Sequence, residues 1–514
     1  MNNSVNMRRL ATGVPGLDDI LGGGLPEYSF NLISGPPGSG KTTLAHQIMF
    51  ALATPEQPAL FFSILGEPPL KMLRYQQQFS FFDMDKIDAS IRFVNLGEEV
   101  ATGNFKLVLA RIAREVNAAS PALVFVDSIQ SVMQDVQYQP GGMISLQLFI
   151  QKLGMLLSSC QATTFLIGGE VTENDRHTVF TMADGLLALD QSVYRNSMVR
   201  MLRVRKMRGQ ATRPGMHTFR ITSDGIQVFP AALVPLDTGI LLASGRKMRS
   251  EERLSMGIPR LNEMLGGGLP SGYSLLVAGP SGSGKTILAT AFLAEGVRTG
   301  EAGVIVAFEQ TPSQSWTRTL DDMVRAGQIG LINTRSLDLS MDEIVQELTD
   351  LIHRMKATRV VIDSLSGFEL AVAPVFREDF RESLFRMIAV LSGLGVTVLM
   401  TSELEDRYTD LRFSSYGSAF LTDAIIVQRY IEVGSSLKRV MAVVKVRASE
   451  HSNEIRQFEI NADGIAIGGI VRDFEGLLGG RPTRMPGGAR LREAPRRATD
   501  RDTNAEFGHL RRLS

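Results

Sequence analysis

The amino-acid sequence predicts an α/β protein built from two tandem domains, each around a mainly parallel central sheet. Two observations carry that expectation. The chain repeats itself, and within each repeat short, continuously apolar runs alternate with longer helical patterns. Residues 13–43 read GVPGLDDILGGGLPEYSFNLISGPPGSGKTT, and residues 257–287 read GIPRLNEMLGGGLPSGYSLLVAGPSGSGKTI. The two align without a gap at a spacing of 244, and LGGGLP stands at 21–26 and again at 265–270. Agreement over 31 positions marks the duplication of one unit. The expected division is 1–240, 241–478 and a distinct end at 479–514.

In the first repeat FNLIS (30–34), LFFSI (60–64), LVFV (123–126) and TFLI (164–167) read as buried strands. The second repeat offers SLLVA (274–278), VIVAF (304–308), RVVI (359–362) and TVLM (397–400). Runs without polar alternation belong to parallel strands covered on both faces. Later stretches alternate more: 200–205 and 218–222 in the first repeat, 439–446 and 455–460 in the second. They predict an antiparallel extension of each sheet. Residues 231–254 connect the halves, and 479–514 lacks apolar periodicity, so it reads as a tail without a packed core.

The 514 residues hold 44% apolar and 21% charged side chains, enough apolar material for sizeable cores. Lys+Arg 54 balances Asp+Glu 54, which argues against a chain devoted to coating nucleic acid. The balance is a sum, because residues 479–514 carry nine Arg against four acidic residues and the remainder is mildly acidic. Cys160 has no cysteine to pair with, and the six His show no metal-ligand spacing. No apolar run reaches the roughly 20 residues needed to cross a bilayer, and MNNSVNMRRL at the start has no apolar signal core. A cytoplasmic protein is expected.

GPPGSGKT at 35–42 and GPSGSGKT at 279–286 both match G-x-x-x-x-G-K-[ST], each after a predicted strand and before a helical pattern. Gly35, Gly38, Ser39 and Gly40, like Gly279, Gly282, Ser283 and Gly284, let the backbone wrap phosphates so that its N–H groups face the anion. Lys41 and Lys285 are placed for the β- and γ-phosphates of ATP, Thr42 and Thr286 for Mg²⁺, with Thr43 and Ile287 beginning each helix. Asp127 and Asp363 end their strands beside the phosphate crevice and supply the second carboxylate on the magnesium side.

The GVP/GIP run leading through LGGGLP into a phosphate loop resembles the RecA superfamily, and its duplication in one chain resembles the KaiC-like family within it. The resemblance spans residues 8–470. It implies two RecA-like P-loop NTPase domains and a homohexamer of two tiers with ATP held between neighbouring subunits. It also implies a pair of glutamates after the second strand that polarises the attacking water. Glu309 matches the first of these and Gln310 replaces the second; in the first repeat Leu65 and Gly66 stand there, with Glu67 next to them. The first site is therefore expected to bind ATP and hydrolyse it more slowly. The family's K-x-R pair, which reaches a neighbour's γ-phosphate, matches Lys206/Arg208 well and Lys445/Arg447 more loosely.

One departure stands out. Where the clock members of the family carry adjacent Ser-Thr phosphoacceptors, this chain has Ala419 and Phe420. Ser414, Ser415, Ser418 and Thr422 lie close by, so a serine/threonine autokinase remains an alternative to a regulatory ATPase, as does a DNA-dependent motor. Glu170 and Glu403, after the fourth strand of each repeat, are candidates for supporting roles, and Trp316 and the pairs Phe61-Phe62 and Phe81-Phe82 read as core. The Arg-rich tail is the expected site for a regulatory protein partner.

Overall fold

The computed structural model describes residues 7–64, 69–102, 104–128, 142–169, 182–194, 197–232, 252–308, 318–333, 339–404, 421–433, 435–472, 474–476 and 483–484. Each repeat folds around a nine-stranded sheet. In the first the strands are β1 (Phe30–Ser34), β2 (Ala59–Ser63), β3 (Ile91–Asn95), β4 (Leu123–Asp127), β5 (Thr163–Ile167), β6 (Gly185–Tyr194), β7 (Ser197–Met207), β8 (His217–Thr222) and β9 (Gly225–Phe229). Their spatial order is β9-β8-β7-β6-β1-β5-β4-β2-β3. Six strands run parallel, and β7 to β9 continue as an antiparallel meander.

The second repeat copies this with β10 (Ser274–Gly279), β11 (Gly303–Ala307), β12 (Ile329–Asn333), β13 (Arg359–Asp363), β14 (Thr397–Glu403), β15 (Ala424–Val433), β16 (Ser436–Val446), β17 (Arg456–Asn461) and β18 (Gly464–Ile470). The order is β12-β11-β13-β14-β10-β15-β16-β17-β18, the same topology read from the other edge. The duplication is therefore a duplication of fold. The expected α/β class, parallel core and antiparallel extension all stand.

Every residue of β1, β2, β5, β10 and β11 is buried, which explains why their sequences show no polar alternation. The two faces of each sheet feed separate apolar clusters, one under the helix that follows the glycine-rich turn and one under the helices of the opposite layer. Phe61 and Phe62 point to opposite faces and are fully buried, whereas Phe81 and Phe82 only flank the core. Cys160 is half-buried, its Sγ 3.2 Å from the Leu156 carbonyl, rather than enclosed. Trp316 lies outside the described residues.

The two repeats touch through the meander of the first and the helix Met341–Met355 of the second. Ser340 caps that helix, its Oγ accepting from Glu343 N at 3.1 Å, and the same hydroxyl meets Thr218 Oγ1 of β8 at 2.8 Å. Arg220, also on β8, grips Glu343 with Nε at 2.9 Å and Nη2 at 3.0 Å from its two carboxylate oxygens. Ala232 N donates to Asp342 Oδ1 at 3.0 Å, and its methyl packs on the second repeat's core. Burial pushes the Asp342 carboxyl above its ordinary range, against that hydrogen bond and the nearby cations. Among the described residues no helix is long and apolar enough to cross a membrane.

Candidate functional site

In each repeat the last residue of β1 or β10 runs into the glycine-rich turn, and the helix Lys41–Leu52 or Lys285–Arg298 begins at its lysine. The turn needs left-handed backbone: Gly38 and Gly40 sit at φ +77° and +98°, Gly282 and Gly284 at +73° and +102°. A Cβ on Gly40 would stand 2.8 Å from Ile221 Cδ1, and one on Gly284 would stand 2.7 Å from Ile460 Cδ1. The meander thus packs against the turn from behind and fixes its shape. This leaves two helix N-termini with open backbone donors, the arrangement that holds phosphate.

Lys41 Nζ donates to the carbonyls of Gly35 and Pro36, both at 2.8 Å, so the ammonium is folded back over the loop. Lys285 does the same to Gly279 and Pro280 at 2.9 and 2.8 Å. Burial lowers the affinity of both lysines for their protons; Asp127 opposes this at Lys41, while Glu403 and Asp363 oppose it at Lys285. Thr42 Oγ1 lies 2.8 Å from Asp127 Oδ2, and Thr286 Oγ1 lies 2.8 Å from Asp363 Oδ2. Each pair is a hydroxyl and a carboxylate, the hard oxygen donors that suit Mg²⁺ bound together with phosphate oxygens. No cluster of three or more His, Cys, Asp or Glu that could cage a metal occurs among the described residues.

The structure therefore brings Lys41, Thr42 and Asp127 to one point, and Lys285, Thr286 and Asp363 to another. It separates the K-x-R pairs from both. Lys206 pairs with Leu186 and the Arg208 amide bonds the Asp184 carbonyl, both at the start of β6. The phosphate loop follows the other end of the neighbouring β1, on the order of 13 Å away at ~3.3 Å per residue. Arg208 Nη1 instead meets Asp184 Oδ1 at 3.1 Å, while Asp184 Oδ2 accepts from Phe30 N. The second repeat repeats the plan: Arg447 faces Asp423 at 3.5 Å, and Lys445 Nζ donates to the Thr422 carbonyl at 2.6 Å. Burial, helped by the adjacent arginine, lowers the pKa of Lys206 and of Lys445. Within one chain these cations cannot serve the site of their own repeat.

Other sequence candidates fall differently. Glu309, Gln310, Glu67, Glu170, Ser414, Ser415, Ser418, Ala419 and Phe420 lie outside the described residues, as do residues 485–514 of the tail. Thr422 is fully buried. Glu403 ends β14 level with Gly279, where the first repeat has Gly169, and it is this glutamate whose charge acts on Lys285. Sequence reading missed Thr401, whose hydroxyl is hydrogen-bonded to Asp363 Oδ1, and Gln428, whose Oε1 accepts from the Ser283 hydroxyl at 3.0 Å. The registers of β14 on β13 and of β15 on β10 bring these partners together; neighbours along the chain do not.

The family model "ATPase: KaiC" matches residues 10–232 and again 254–471. The circadian clock oscillator protein KaiC of Rippkaea orientalis is 28% identical over 502 residues, covering 94% of this chain and 93% of that protein. The protein of the same description from Synechococcus elongatus is 27% identical over 504 residues, covering 94% of both chains.

Proposed function

The chain belongs to the KaiC ATPase family, and from that premise we propose that it is a homohexameric ATPase holding MgATP at two tiers of sites between subunits. The domains are 1–240 and 241–478. Gly35–Thr43 and Gly279–Ile287 wrap the phosphates, with Lys41 and Lys285 reaching the β- and γ-oxygens. Thr42 with Asp127, and Thr286 with Asp363, hold Mg²⁺, which supplies charge neutralisation on those oxygens. Lys206/Arg208 and Lys445/Arg447 come from the neighbouring chain and stabilise charge that develops on the transferring phosphoryl group.

One observation supports this above all: each sheet carries the phosphate-gripping set at one end and the K-x-R pair at the other. A ring that sets these two ends against each other completes every site from two chains. Glu309 orients the attacking water in the second tier, and Glu67 offers a weaker substitute in the first. ATP turnover then serves as a regulatory switch read by a protein partner, with the Arg-rich end at 479–514 as its contact. The relatives are named as clock oscillators; Ala419 and Phe420 in place of the paired hydroxyls argue for a regulatory role without their phosphorylation cycle. A formal charge of zero disfavours nucleic acid as the partner. The expected compartment is the cytoplasm.

Sedimentation of the purified chain with MgATP, alongside Arg208→Ala and Arg447→Ala, tests this reading. A six-chain species is expected, with each variant slowing hydrolysis more than it weakens nucleotide binding. A monomer at saturating MgATP would overturn it. Phosphopeptide mass spectrometry after ATP incubation decides the autokinase alternative.

A further inference from the structure

The contact between the two repeats uses two surfaces that the duplication has made twice. One is the last hairpin of the meander, which presents Thr218, Arg220 and Ala232 in the first repeat. By the common β-hairpin TSDG/NADG register, their counterparts in the second repeat are Gln457, Glu459 and Val471. The other surface is the N-terminus of the helix before β13, with Ser340, Asp342 and Glu343. Its counterpart before β4 is the helix Phe105–Ala119, capped by Asn104, whose Oδ1 accepts from Lys106 N at 3.0 Å. Aligning LVFVD with RVVID places Lys106 at the Asp342 position, Leu107 at Glu343 and Arg111 at Glu347.

Within one chain the first hairpin occupies the second helix. Among the described residues the second hairpin and the first helix start have no such counterpart. Asn104, Lys106 and Leu107 are exposed, Leu107 by 47%, where Ser340 is buried and Asp342 and Glu343 are half-buried. Glu459 is likewise exposed, and a cleft of about 480 Å³ lies along its hairpin, lined by Gln457, Glu459, Ala466, Gly468, Val471 and Phe474.

The charges of the two leftover surfaces are inverted together. The docked pair sets Arg220 on the hairpin against an acidic helix start at 342, 343 and 347. The leftover pair sets an acidic hairpin residue, Glu459, against a helix start carrying Lys106, with Arg111 one turn on, itself paired with Glu115 at 3.0 Å. Each half suits the other and repels the half already in use.

We propose that the second-repeat hairpin of one chain docks on the Asn104–Leu107 helix start of a second copy of this chain, reusing the geometry by which the two repeats meet. Such a contact is head-to-tail, so it does not close on itself and stacks assemblies end to end. In that geometry Gln457 meets Asn104, and Glu459 takes the place of Arg220 over Leu107, with Lys106 and Arg111 flanking it on the helix. The contact lies apart from the nucleotide sites, so it can fail while the ATPase reading holds.

Mass photometry of the full chain in MgATP, over a concentration series and at low and high salt, tests this. Masses at two and three times the basic assembly are expected, whatever the chain count of that assembly, and high salt should disperse them. Glu459→Lys and Lys106→Glu should each raise the concentration for half-stacking by about tenfold or more, as charge reversal at an interface does. The combined Glu459→Lys, Lys106→Glu variant should restore stacking. ATP hydrolysis in the dispersed single variants reports that they are folded. A wild-type chain that stays at the basic mass throughout overturns the proposal. So does stacking that ignores Lys106→Glu, a result that would assign the hairpin to another occupant, such as the chain's own Arg-rich end.

Discussion

The two repeats share a fold, a phosphate loop and a Thr–Asp pair set at the same distance, yet they secure these parts differently. In the second repeat Asp363 is held on both oxygens, by Thr286 and by Thr401. In the first, Ile167 stands where β14 carries Thr401, so Asp127 has no hydroxyl at that position. Ser283 is anchored by Gln428, whereas the equivalent Ser39 hydroxyl is buried without a partner among the described residues. Glu403 lends charge to Lys285 where the first repeat offers Gly169. The lesson is that duplication preserved the binding apparatus and let its supports diverge. Supports of this kind tune geometry and charge rather than create a site.

The widest structural gap between the halves is at the bottom of the second sheet, and breaking it should have the largest effect. Arg359 is 2% exposed, gives two hydrogen bonds to Glu301 and two to the carbonyls of Ser255 and Phe292, and stacks on the Phe292 ring. Burial works to raise the Glu301 carboxyl, but hydrogen bonds from Arg359 and Thr358 and the guanidinium charge outweigh it and hold it below its ordinary range. The first repeat has Leu123 at this position. Arg359→Leu should cost about 3–5 kcal/mol of second-repeat stability, because Glu301 loses the guanidinium that balances its charge. Urea unfolding should show Glu301→Leu restoring much of that loss in the double variant.

The next difference lies one turn past each phosphate loop. His46 is fully buried against Phe61 and Phe93, and burial lowers its pKa from 6.5 to about 4; Thr290 takes this place in the second repeat. The unfolded chain therefore binds the proton more readily than the folded one. First-repeat stability from this group is complete above pH 6.5 and drains away as the pH falls toward 4, by about 3 kcal/mol in all. Unfolding followed across that window should show the loss, and His46→Thr should flatten the slope.

The smallest effect sharpens the comparison at the metal side. Thr401→Ile gives the second repeat the first repeat's residue and frees one oxygen of Asp363 from its hydroxyl donor. The Mg²⁺ concentration needed for half-maximal hydrolysis should rise by about tenfold. An unchanged requirement would mean that Thr401 only fills space.

Much of this was legible in the sequence. The phosphate loops, their strand-ending aspartates and the duplication each combine several residues at fixed spacing, and all land where spacing placed them. The edge strands β3 and β12 were not read, because IRFVN and IGLIN are short and only partly buried. Thr401, Glu403 and Gln428 are single polar residues whose meaning depends on which strand lies beside them, and that register is a tertiary fact. The repeat-to-repeat contact was hidden for the same reason: Arg220 and Glu343 stand 123 residues apart. The K-x-R pairs show the converse. Their residues were evident from the sequence, but only the sheet reveals that they lie at the far end from their own phosphate loop.

The central claim is that both repeats grip nucleotide while the second does most of the hydrolysis, through Glu309. The direct test is phosphate release per chain, with bound ATP counted alongside, in Glu309→Gln and in Glu67→Gln. Glu309→Gln should lower release by about tenfold or more, the scale of a lost general base, with ATP still bound at both sites. Glu67→Gln should leave most of the rate. An equal loss in the two variants, or a larger one in Glu67→Gln, would contradict the account.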